Sequence, residues 1–82
     1  MDPGECEIAL RRLAAAEEAV ARARDLTKRQ REVVTRLESA GHNTNDARQL
    51  LGTFEAIQAN HERHLAMFLD ELNQRGWKPV EA

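Results

Sequence analysis

Eighty-two residues with a single cysteine, a formal charge of −2 and 41% hydrophobic residues bound what the chain can be. It is one small domain with no intrachain disulfide and no net basic field to draw it to phosphate backbones. Thirteen of the hydrophobic residues are alanines and only three residues are aromatic, so large side chains are scarce and the composition suits long helices in close contact.

The first helix is expected over about residues 3–40. Asp2, Pro3 and Glu5 have the residue types of an N-cap, a first-turn proline and an N3 glutamate, which satisfy orphan amide groups and suit the positive helix end. A turn follows over 41–44, where Gly41 supplies the left-handed residue that ends a helix and His42, Asn43 and Thr44 supply turn and cap chemistry. The second helix is expected from 45 to about 75. Gly76 would sit just beyond its end, Trp77 would cover Leu72, and Pro79 would prevent continuation into the short tail 76–82. No internal repeat or low-complexity tract interrupts this order, so residues 1–82 read as one hairpin domain.

Both helices carry a four-three apolar alternation. On the first it runs Leu13, Ala16, Val20, Ala23, Thr27, Gln30, Val34 and Leu37; on the second, Ala47, Leu51, Phe54, Gln58, His61, Leu65, Phe68 and Leu72. Folding the chain back at 41–44 sets Leu37 opposite Ala47, Val34 opposite Leu51, and so on down to Leu13 opposite Leu72. One antiparallel register satisfies every pair, with Ala23 and Ala16 facing the bulkier His61 and Phe68. The fold class is therefore all-α: two long antiparallel helices forming a helical hairpin, or coiled coil.

A second apolar strip runs beside the seam, made of Ala19, Leu26 and Val33 on the first helix and Leu50, Ile57 and His64 on the second. One hairpin cannot cover both rows, and a contact face wider than a simple seam is typical of helices in four-helix bundles. The expected partner is a second copy, giving a homodimeric four-helix bundle, or another protein. Leu26, Val33, Leu50, Ile57 and His64 are the candidate contact residues.

Polar residues interrupt the seam at Thr27, Gln30, Gln58 and His61. An unpaired buried amide or imidazole costs on the order of 1 to 3 kcal/mol, so these four are expected to bond one another as a layer that fixes register. His61 and His64 are three apart with Glu62 between them, which is not the four-residue histidine spacing of the zinc proteases. A metal there would need a further ligand from His42 or a symmetry mate, and a buried His61 could instead sense pH. His42 at the turn and Trp77 near the end could each serve as a recognition tip. No phosphate-binding glycine loop, nucleophile elbow or serine or cysteine placed to meet a histidine and an acid is present, so neither an enzyme, a small-molecule substrate nor a cofactor is expected. A basic stretch on the first helix, with Arg22, Lys28, Arg29 and Arg36 as its candidate docking residues, keeps a nucleic-acid-associated regulator as the alternative. No run approaches the ~18 apolar residues of a membrane span and no charged-then-apolar leader opens the sequence, so with the lone thiol of Cys6 a cytoplasmic setting is expected.

Residues Gln30-Arg31, Leu37, Gly41-His42-Asn43-Thr44, Ala47, Leu50-Leu51, Phe54, His61 and Leu72 form a pattern that resembles short, uncharacterised proteobacterial two-helix proteins with a Gly-His-Asp/Asn-Thr turn. The resemblance covers about residues 30–72. It implies a helical hairpin in a bacterial setting and assigns no activity. Leu26–Leu37 also resembles the opening helix of regulator-type helix-turn-helix domains, but the second helix here is long and unbroken apart from Gly52, whereas that family has a short scaffold helix, a turn and a separate recognition helix.

Overall fold

A computed structural model describes residues 2–77, so the reading of Pro79 lies outside the described residues. The described residues form two α-helices: α1, Pro3–Ser39, and α2, Asn45–Gln74. They lie antiparallel in a rod 58 Å long and 21 by 17 Å across.

Each helix end follows from local chemistry. The Asp2 carboxylate accepts the amide of Glu5 at 2.8 Å and caps α1 behind Pro3. At the other end Gly41 takes a φ of 75°, the left-handed conformation that glycine adopts without a steric penalty. Its amide donates to the Glu38 carbonyl at 3.0 Å, and the next amide, of His42, donates to Leu37 at 2.9 Å. This pair of bonds is the Schellman arrangement, and it occurs again after α2. There Gly76 has a φ of 81° and donates to Asn73, while Trp77 donates to Leu72, both at 3.0 Å. His42 thus closes α1 with its backbone amide and leaves its side chain on the exposed turn.

The start of α2 differs from expectation. Thr44 makes no side-chain cap; its hydroxyl instead accepts from Arg48 Nε at 2.9 Å. The Asn43 carboxamide oxygen accepts the amide of Asn45 at 2.9 Å and takes over part of the capping. Thr44 loses the role because its backbone is not in the extended conformation from which a threonine reaches forward to its own helix.

The core is the single seam between the helices. Ala9, Leu13, Val20, Ala23, Thr27 and Val34 of α1 are buried, but only Leu72 of α2 is. Every other seam residue of α2, from Ala47 to Phe68, is half-buried. Small side chains on α1 lie under large ones on α2, so the large ones cover the floor and keep their own outer faces in water. Two helices can do no more, because each has only one neighbour.

Candidate interaction surface

The seam has two flanks, and they are built differently. On one, Arg24 meets Glu62 at 3.5 Å, Arg31 meets Glu55 at 3.7 Å, and Glu38 meets Arg48 next to the turn. Each ion pair is seven residues further along α1 and seven further back along α2 than the one before. That stepping is what one antiparallel register produces, and it agrees with the seam pairing read from the sequence. Toward the open end of the hairpin this row includes Leu10, which is exposed.

The other flank has no cross-helix ion pair among the described residues. It carries the second apolar strip, whose register sets Val33 level with Leu50, Leu26 with Ile57 and Ala19 with His64, and Leu26 and Ile57 line one groove together. Leu26 is 46% exposed and Leu50 and Ile57 are each 44% exposed, while Ala19 and Val33 are half-buried and His64 is exposed. A shallow groove runs along it, lined by Ala19, Arg22, Ala23, Leu26, Ile57 and His61. No protein-family model matches this chain, and neither does any curated protein or solved structure.

The strip extends further than the sequence reading took it. Met67 lies three residues beyond His64, is 62% exposed, and shares a second groove with His64 and Phe68. At the open end a third groove is lined by Ile8, Ala9, Phe68 and Leu72 and edged by Arg12 and Glu71. Met67 could have been found from the i, i+3 neighbourhood of His64, and Ile8 from its seven-residue spacing to Ala15 and Arg22.

The polar seam residues do not bond one another, contrary to expectation. Thr27, the most buried side chain among them, donates its hydroxyl to the Ala23 carbonyl of its own helix at 2.9 Å. Gln30 reaches past its level partner Phe54 to donate to the Ala47 carbonyl at 2.9 Å, and so joins α1 to the first turn of α2. Gln58 turns outward to Glu62 at 2.6 Å. His61 is half-buried at the edge of the apolar groove. Thr27, Gln30 and Gln58 each found an acceptor outside the layer: a helical carbonyl four residues back serves the threonine, a backbone carbonyl of α2 serves Gln30, and a flank carboxylate serves Gln58. Among the described residues no buried side-chain nitrogen or oxygen lacks a partner.

The Gln58 bond has an electrostatic consequence. It holds the Glu62 carboxyl below its ordinary value, burial opposes the shift, and Arg24 adds to it as both hydrogen-bond donor and positive charge. Among the described residues, no three of the histidine, cysteine and acidic side chains gather where they could hold a metal ion. The half-buried Cys6 thiol is free. No helix among the described residues is long and apolar enough to cross a membrane.

The basic stretch on α1 is interleaved with carboxylates. Arg22 pairs with Glu18 at 3.2 Å and Arg29 with Asp25 at 2.9 Å along the same helix, while Arg24 and Arg31 are taken by α2. Lys28 and Arg36 have no ion pair among the described residues. A nucleic-acid surface needs several cations facing one way, each able to displace a counterion, and the guanidinium groups of Arg22, Arg24, Arg29 and Arg31 already have anionic neighbours.

Proposed function

We propose that this protein is a non-enzymatic interaction module that works as a homodimer, two hairpins closing their apolar flanks against each other into a four-helix bundle. The observation that carries this reading is the row of Leu26, Leu50 and Ile57, each nearly half exposed on the flank that has no cross-helix ion pair among the described residues. Covering the exposed half of such a side chain contributes about 1 kcal/mol, and a dimer covers each of the three twice. A patch of this kind on a small chain marks an interaction site, and two-fold self-association is the commonest way to cover one. The outer faces of the bundle, with the turn, are then left for a further protein partner. Interleaved carboxylates beside the arginines favour this role over that of a nucleic-acid-associated regulator.

The test is solution mass by light scattering over a dilution series, with thermal unfolding followed at the same concentrations. A dimer whose melting temperature rises with concentration supports the reading. A folded monomer at all concentrations overturns self-association and leaves the strip to a different protein. A salt-sensitive complex with duplex DNA would favour the regulator instead.

A further inference from the structure

Two hairpins can close the same flank in two ways related by a two-fold axis. With the 40–44 turns at the same end, α1 of each copy lies against α2 of the other. With the turns at opposite ends, each helix lies antiparallel to its own counterpart. The apolar strip alone does not choose between them, but the charges around it do.

Seven-residue spacing sets the row just outside the strip. On α1 it holds Ala15, Arg22, Arg29 and Arg36; on α2 it holds Asp46, Thr53, Asn60 and Met67. Arg22 lines the groove beside Leu26, which confirms the side on which this row runs. The strip's own row continues at the open end to Arg12 on α1 and Glu71 on α2, which edge one groove together.

Turns at opposite ends, with the axis crossing near Leu26 and Ile57, would bring Arg22 against Arg29 of the second copy, and the two-fold repeats that contact. Their own-helix partners Glu18 and Asp25 reduce this repulsion without removing it. Turns at the same end give a different set of neighbours. Arg36 comes level with Asp46 of the second copy, Arg29 with Thr53 and Arg22 with Asn60. Met67 comes over Ala15, a large side chain above a small one. At the open end Arg12 comes level with Glu71 of the second copy, whose Oε1 takes Arg75 at 3.2 Å and whose other oxygen has no hydrogen bond among the described residues. Arg12, Arg36 and Asp46 have no ion pair among the described residues, and this arrangement gives each of them a counter-charge.

Resting on the dimer reading above, we infer that two copies of this chain pack with their turns at the same end, the apolar strip closed at one end by Arg12 against Glu71 and at the other by Arg36 against Asp46. Every helix then has antiparallel neighbours on both sides, and the strip becomes a stack in which Leu26 and Ile57 of both copies share one layer.

Spin labels at the turn test the arrangement. A His42→Cys change in a Cys6→Ser chain puts one nitroxide on the exposed turn of each copy. Turns at the same end give a label separation on the order of 20 Å, because packed helices are ~10 Å apart. Turns at opposite ends give a separation approaching the 58 Å length of the rod and overturn the inference while leaving the dimer reading intact. A monomeric mass with no dipolar coupling overturns both. A second measurement needs no label. Arg12→Glu and Glu71→Arg are each expected to weaken self-association several-fold, and an equimolar mixture is expected to recover it as the heterodimer, since each changed charge meets its opposite in the other chain. A mixture no tighter than either variant alone overturns the proposed contact.

Discussion

The two flanks of this hairpin stand at the same levels on the same helices, yet one is finished and the other is not. On the charged flank three ion pairs tie α1 to α2, and the last reverses sign: Arg24 and Arg31 face Glu62 and Glu55, but Glu38 faces Arg48. A slip of one heptad would set Arg31 against Arg48 or Glu38 against Glu55, so the reversal penalises the nearest wrong registers. All three pairs are solvent-exposed, and such pairs contribute only about 0.2–1 kcal/mol each. Their effect is on which register forms rather than on how stable it is. The apolar flank carries little information about register but holds surface that becomes stabilising only when something covers it. A chain with this little core gains more from covering that flank than from adding charges to the other.

The sharpest way to break the comparison is a charge on the apolar flank. In the dimer Leu26→Asp places two carboxylates in a desolvated layer, and an unpaired charge there costs several kcal/mol. The dissociation constant should rise at least about 100-fold, equivalent to ~2.7 kcal/mol. In the free hairpin the same residue is close to half exposed, and a surface substitution there should change stability by about 0.5 kcal/mol or less. Sedimentation and circular dichroism over a dilution series read the two effects separately. If helicity is lost at every concentration alike, Leu26 belongs to the hairpin's own core and the contrast between the flanks is wrong.

A smaller effect is expected on the charged flank, and of a different kind. Arg31→Glu turns an attraction to Glu55 into a repulsion and should lower hairpin stability by roughly 0.5–1 kcal/mol at low salt. The loss should be the same at all protein concentrations and should shrink in high salt. Glu55→Arg should behave alike, and the double change should recover most of the loss. If the two single changes simply add, the pair is an accident of geometry and does not hold the register.

Much of this was legible in the sequence, and what was missed has a common cause. The seam could be read because a four-three alternation has only one solution once the chain must fold back at Gly41. The apolar strip followed from the same wheel, and Leu26, Leu50 and Ile57 are exposed where that reading left them bare. The ion pairs were equally available, since Arg24, Arg31 and Glu38 repeat at seven with Arg48, Glu55 and Glu62 opposite. A reading along α1 merges its arginines into one basic stretch and hides the partners that Arg24 and Arg31 find across the seam. The bonds of Thr27, Gln30 and Gln58 lay beyond pattern reading. A polar side chain in a seam can choose among carbonyls and carboxylates within a few ångströms, and periodicity does not distinguish them.

The smallest expected effect sharpens the contrast from the charged side through pH. Gln58 donates to Glu62 and Arg24 stands beside it, so the folded carboxyl titrates below its ordinary 4.5. A folded-state value that is depressed favours the charged form in the hairpin, so the stabilisation is complete well above 4.5 and is lost as pH falls through 4.5 toward the folded value. Because Gln58 is the largest single cause, Gln58→Ala should move the Glu62 titration, followed by the carboxyl carbon shift in NMR, back toward the ordinary position, and Arg24→Ala should move it in the same direction. Glu62→Gln should remove this part of the acid sensitivity. None of the three changes touches the apolar strip, so none should alter self-association at neutral pH. A dimer that weakened with any of them would mean that the two flanks are coupled and that the charged one also takes part in holding the copies together.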